Sequence, residues 1–252
     1  MIALGLYRCS VQLPDADIDQ IVVEEEETEA NLDETAEEIA MEETIPETPF
    51  DEDVRILLMN QDYQGIYHTE LHIMCEEGFT VSHNEEITDY APDSELVLHT
   101  KDFEENQMIC ITGNNNGKIQ ITNLGRNSPA RYRGRLECYY TAEGIVVVNE
   151  LLVEEYLYGV VPSEMPSTYP DEALKAQAVS ARTYTYFHKQ RYAYPEWRAH
   201  MDDSTAFQVY MNCEETQSAV NAVDETRDQV LAYDGEIVES FYYSTSGGYN
   251  GG

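Results

Sequence analysis

The sequence predicts an α+β fold: a predominantly β domain with a helical insertion, preceded by a disordered acidic segment. Three observations carry this. Short apolar runs at even spacing fill the chain from Val54 to about residue 150, helical periodicity is confined to the region after them, and Asp and Glu dominate the first 52 residues. Strands, then helices, then strands in chain order argue against a repeated βαβ unit. With 252 residues and 42% hydrophobic content the chain can bury a real core. The expected division is an acidic linker over 1–52 and one domain over 53–252.

Residues 15–53 contain no Lys or Arg, and Pro46 and Pro49 stand near their end. Self-repulsion and scarce aromatics predict a tether there; a helix around Glu34 to Glu43 would have little to pack against. The strands expected next are VRILLM, HTELHIMC, GFTV, ELVLH, MICIT and KIQIT, with GNNNGK (113–118) as a turn. A strand pair follows in YRGRLECYY (132–140) and the start of IVVVNELLVEEYLYGVV (145–161), whose EEYLYGVV is a short helix. Leu174, Ala178, Ala181 and Thr185 recur at helical spacing and predict a longer helix over about 171–189. A third helix is expected after Thr216, across SAVNAV. VLAY and IVESFYY around Asp234-Gly235 then read as a hairpin with a two-residue turn.

Composition excludes several function classes. A formal charge of −35, about half of it from the first fifty or so residues, is incompatible with counterion release on a polyanion, so nucleic acid is not an expected partner. Five cysteines, an odd number with no CxxC pair, form neither a disulfide framework nor a zinc ribbon, and buried thiols are expected at Cys75, Cys110 and Cys138. His68, His72 and Cys75 are no metal set in a strand, where the two histidines lie about 13 Å apart on one face and the thiol points away. The opening MIALGLYRCSVQLPDADIDQ has neither a charged n-region nor a sustained apolar run, so no signal peptide or membrane span is read in it.

The chemistry concentrates in YLYGVVPSEMPSTYPDEALKAQAVSARTYTYF (156–187). Glu164 sits between Pro162 and Pro166, each of which restricts the backbone, directly ahead of an alanine-lined helix. The plain reading is a solvated carboxylate in a capped turn. The alternative is a held acid whose proton affinity is raised by burial against Val161, Met165 or nearby tyrosines.

This run resembles the signature of the SpoIID/LytB family, relatives of stage II sporulation protein D that act on bacterial cell-wall glycan. YRGRLECYY, the 145–161 stretch and TRDQVLAYDGEIVESFYYSTSGG (226–248) resemble further parts of that family, so the similarity runs from about residue 53 onward. The resemblance implies a lytic transglycosylase, in which the C6 hydroxyl of muramic acid attacks its own C1 and leaves a 1,6-anhydro end on strands stripped of stem peptides. Glu164 matches the catalytic acid and base. Gln177 and Arg182 of KAQAVSART match residues that bind sugar hydroxyls or N-acetyl groups, although pinning the helix to a loop would explain them as well. Ser244 and Ser246 of STSGG match a further substrate-binding element, beside Gly247 and Gly248.

The family implies peptidoglycan strands as ligand, with a cell-wall amidase or other sporulation proteins as partners. Its LytB-like side implies the alternative of a noncatalytic glycan-binding enhancer of an amidase. No cofactor is implied. Some relatives carry a Cys/His zinc site before a CQVY sequence, but in HMDDSTAFQVY (200–210) Asp202 and Phe207 stand where the cysteines would be and His200 alone remains, a lone His beside two aspartates that reads as an exposed surface residue rather than a ligand, so no metal site is expected. The resemblance also implies an extracytoplasmic place at the cell wall or membrane, with an export signal or anchor outside what this sequence displays, and a domain that continues past STSGGYNGG.

Overall fold

The computed structural model describes residues 53–126 and 130–242. The acidic tether expected over 1–52, and Ser244 and Ser246, lie outside the described residues. The architecture is α+β with more strand than helix.

Ten strands precede the first helix: β1 (Asp53–Leu58), β2 (Glu70–Met74), β3 (Phe79–His83), β4 (Glu86–Tyr90), β5 (Glu95–His99), β6 (Met108–Gly113), β7 (Ile119–Ile121), β8 (Arg131–Tyr132), β9 (Arg135–Tyr140) and β10 (Ile145–Leu152). Helices α1 (Val153–Glu164) and α2 (Asp171–His188) follow. Then come β11 (Met201–Asp202), α3 (Gln217–Glu225), β12 (Ala232–Tyr233) and β13 (Glu236–Ile237). A seven-stranded sheet runs β11-β1-β10-β9-β6-β3-β4 and a four-stranded sheet β5-β2-β7-β8. All their pairings are antiparallel except β1 with β11, where Ile56 stands opposite Met201.

Alternation sets the faces. Val54, Ile56 and Leu58 of β1, Ile109 and Ile111 of β6, and Leu71 and Ile73 of β2 enter one continuous core that also takes Tyr156, Leu157, Val160 and Val161 of α1 and Leu174, Ala178 and Ala181 of α2. β10 breaks the alternation because both of its faces are covered. Val146 and Val148 pack with Leu57 and Ala199 in a second, small cluster beneath Tyr194 and Trp197.

The structure differs from expectation at three places. β4 is a strand that the apolar pattern does not announce: it lies at a sheet edge with Ile87 71% exposed, and pairing with β3 through Asn84, at φ 54°, holds it. Helix α1 does not stop at Pro162 but runs through it to Glu164. The missing amide removes one hydrogen bond in the last turn, where the Met165 amide still donates to Val161 O at 3.0 Å and Ser163 Oγ to Gly159 O at 2.7 Å. His200 is buried rather than exposed, its Nδ1 accepting the Arg55 amide at 3.1 Å.

The remaining elements follow their sequence signals. Thr216 caps α3 by accepting the Ala219 amide at 3.4 Å. Asp234 and Gly235 adopt φ 48° and 82° between β12 and β13, the geometry of a tight hairpin turn, although the paired strands are only two residues each. No helix among the described residues is long and apolar enough to cross a membrane.

Candidate active site

Glu164 ends α1, and the segment 208–213 is drawn along that helix end. The close approach depends on Gly159: a Cβ there would lie 2.5 Å from Met211 Sδ and 2.7 Å from the Tyr210 ring. Ser163 Oγ accepts the amides of Asn212 at 3.1 Å and Cys213 at 3.2 Å, and Glu164 Oε1 accepts the Val209 amide at 2.6 Å. Buried Tyr210 locks the segment from beneath, its hydroxyl donating to Asn149 Oδ1 at 2.9 Å. Asn149 in turn gives Nδ2 to the carbonyls of Arg133 and Arg135.

Half-buried Glu164 has its proton affinity raised above the usual carboxylate value by desolvation, and the Val209 amide, which favours the anion, offsets this only in part. Among the described residues no second carboxylate and no cation contributes to that shift. The surroundings of the carboxyl are phenolic: its charge reaches Tyr156, Tyr184 and Tyr242, all held protonated first of all by burial.

Gln208 organises the floor of the site. Fully buried, its Nε2 donates to Ala181 O at 3.2 Å and to Tyr242 Oη at 3.0 Å, while its Oε1 accepts from Thr185 Oγ1 at 3.0 Å. Gln177, 7% exposed, lies against the Tyr242 hydroxyl, yet its Nε2 has no well-formed hydrogen bond among the described residues. Tyr184, His188, Phe207, Phe241 and Tyr242 form an aromatic rim, with rings of Tyr184 and His188 4.1 Å apart and Phe241 74% exposed.

Arg182 takes the bracing role that the sequence leaves open beside the binding one. Its side chain is fully buried, with Nε and Nη2 each 2.7 Å from the Glu154 carboxylate and the remaining donors on Thr226 Oγ1, Gln229 O and Val223 O. All five of its N–H groups are used inside the protein. Glu164 and Gln177 thus meet around Tyr242, while Arg182 joins α1, α2 and α3 on another side. Sequence reasoning missed Gln208, the Val209 amide and Tyr242 as parts of the site. In sequence the HMDDSTAFQVY run signals only the cysteines it lacks.

His200 and Asp202 are engaged structurally, Asp202 Oδ2 accepting from Tyr194 Oη at 2.5 Å and Oδ1 from the Ser204 amide at 2.8 Å. Among the described residues His, Cys, Asp and Glu form no group suited to a metal ion.

Comparison with known proteins matches residues 141–233 to the SpoIID family model, described as Stage II sporulation protein. An uncharacterized protein of Brachyspira hyodysenteriae is 39% identical over 119 residues, 47% of this chain and 32% of that protein. The amidase enhancer of Bacillus subtilis is 43% identical over 93 residues, 37% of this chain and 12% of its own. Stage II sporulation protein D of Bacillus subtilis is 35% identical over 117 residues, 40% of this chain and 34% of that protein. The matched stretch thus spans about a third or less of each relative.

Proposed function

We propose, from the match of residues 141–233 to the SpoIID family model, that the protein is a peptidoglycan lytic transglycosylase. It cleaves the MurNAc-GlcNAc backbone of peptide-stripped strands in sporulation or cell-wall remodelling, at an extracytoplasmic site. One observation carries the reading: Glu164 is a half-buried carboxyl whose proton affinity is raised, with no second carboxylate among the described residues contributing to that shift. Hydrolysis of a glycosidic bond ordinarily needs two carboxyls. Intramolecular attack needs one.

In this scheme neutral Glu164 gives its proton to the glycosidic oxygen as the C1–O bond breaks. The resulting carboxylate, steadied by the Val209 amide, takes the proton of the C6 hydroxyl as that oxygen bonds to C1 of the same residue. The carboxyl ends as it began, no water is consumed, and the products are a free GlcNAc hydroxyl and a 1,6-anhydro-MurNAc end. The aromatic rim supplies faces for sugar rings.

A second reading is supported by the amidase enhancer's 43% identity over 93 residues: the Glu164 site binds glycan and the bound protein stimulates a cell-wall amidase without cleaving. Incubation of wild type and Glu164→Gln with peptide-stripped strands separates the two. Anhydro ends from wild type alone support the transglycosylase. Glycan binding and amidase stimulation by both proteins, with no anhydro ends, replace it with the enhancer.

A further inference from the structure

The last turn of α1 carries two neighbouring side chains that reach for one segment. Glu164 takes the Val209 amide, while Ser163 Oγ accepts from Asn212 at 3.1 Å and Cys213 at 3.2 Å and gives its own proton to Gly159 O at 2.7 Å. A hydroxyl has one hydrogen and two lone pairs, so this one is saturated and its direction is fixed. Met211, just before these amides, stands at φ 55°, a region that residues with a side chain seldom enter and that persists where surrounding contacts over-determine it. A left-handed residue helps turn successive amides toward a common acceptor. Here that acceptor is Ser163.

Gln208 and Tyr210 fasten the same segment to α2, through Ala181 O, and to β10, through Asn149. Neither of these contacts refers to the end of α1, where the carboxyl sits. We propose that Ser163 is the positioning residue of Glu164: its hydroxyl sets the distance between the 209–213 segment and the end of α1, and so keeps the Val209 amide on the carboxylate. The phenols around Glu164, Tyr156 on α1, Tyr184 on α2 and Tyr242, make no hydrogen bond to that hydroxyl, and no other charged group among the described residues contributes to the carboxyl's shift. Removing the hydroxyl therefore withdraws the amide and leaves the burial in place. The catalytic consequence, an amide held ready for the anion that proton transfer creates, rests on the reading of Glu164 as acid and base.

The test follows the Glu164 carboxyl by carbon-13 NMR, as the resonance that Glu164→Gln removes, in wild type, Ser163→Ala, Ser163→Cys and Ser163→Thr, with melting temperatures alongside. Loss of the amide removes a bond that favours the anion. The titration midpoint is expected to rise by about one pH unit in Ser163→Ala, the equivalent of one hydrogen bond to a charged group. It should rise less in Ser163→Cys, whose sulfur is a weak acceptor, and stay in place in Ser163→Thr, whose hydroxyl can make the same bond back to the helix. A midpoint that stays or falls in Ser163→Ala and Ser163→Cys, or that rises as far in Ser163→Thr, overturns the proposal, whatever happens to the melting temperature. If Ser163→Ala does not fold, the Cys and Thr variants decide. Cleavage of peptide-stripped strands is read separately: its falling limb should move with the titration. If the midpoint moves as stated while the limb does not, the catalytic reading fails and the positioning role stands.

Discussion

The carboxyl of Glu164 couples function to stability through one pKa. Burial raises its folded-state value above the ordinary 4.5, so the group favours the folded state below the unfolded value and loses that contribution as pH rises through the folded one. Glu164→Gln keeps an acceptor for the Val209 amide and has no charge to bury. Its melting temperature is expected to match the wild type in acid and to exceed it progressively as pH rises through that window. A Gln variant less stable at neutral pH than in acid, relative to wild type, would contradict the burial argument. The same shift places the loss of the acid form, and with it the falling limb of any cleavage rate, above the ordinary carboxylate range. At this scale the sequence was legible in part. Glu164 stood out because two prolines flank it, but the amide that holds it comes from 45 residues away. Gln208 and Tyr242 meet it only through tertiary packing, and no local spacing encodes that.

The elements that hold the site depend on two contacts with opposite sequence signals. Gly159 looks like a weak point in a helix; it is the place where the Tyr210 and Met211 side chains press against α1. Gly159→Ala is expected to cost about 1–3 kcal/mol by overpacking and to loosen the Val209–Glu164 hydrogen bond, seen as a lower denaturation midpoint with a larger proportional loss of cleavage. Arg182 reads in sequence either as a sugar-binding cation or as a pin of its helix; its contacts join α1, α2 and α3. Removing it as Arg182→Ala leaves Glu154 buried and unpaired and is expected to cost about 3–5 kcal/mol. The double variant Arg182→Met with Glu154→Leu should recover most of that stability and retain cleavage, since neither side chain reaches the site. A stable double variant that no longer binds glycan would return Arg182 to a binding role. Long elements with one exposed face, α2 above all, were readable from periodicity. β4 was not, because an edge strand with outward side chains has no apolar pattern, and the passage of α1 through Pro162 was not, because tertiary packing outweighs one lost hydrogen bond.

For the whole molecule the charge of −35 sets the terms of encounter. Strands stripped of stem peptides carry lactyl carboxylates, so protein and ligand repel at long range, and the Debye length of roughly 10 Å at 0.1 M salt sets how far that repulsion extends. Association with such strands is expected to quicken as salt rises from about 0.05 to about 0.5 M, whereas a basic glycan-binding surface would show the reverse. Stopped-flow binding at several ionic strengths decides this, and a rate that falls with salt contradicts it. The proposed role of Glu164 as the one group that transfers the proton to the glycan has a more direct test. Mass spectrometry of products from peptide-stripped strands measures it. The account predicts 1,6-anhydro-MurNAc ends from the wild type and a loss of about 100-fold or more with Glu164→Gln; equal rates from the two proteins, or hydrolysed ends in place of anhydro ends, would contradict it.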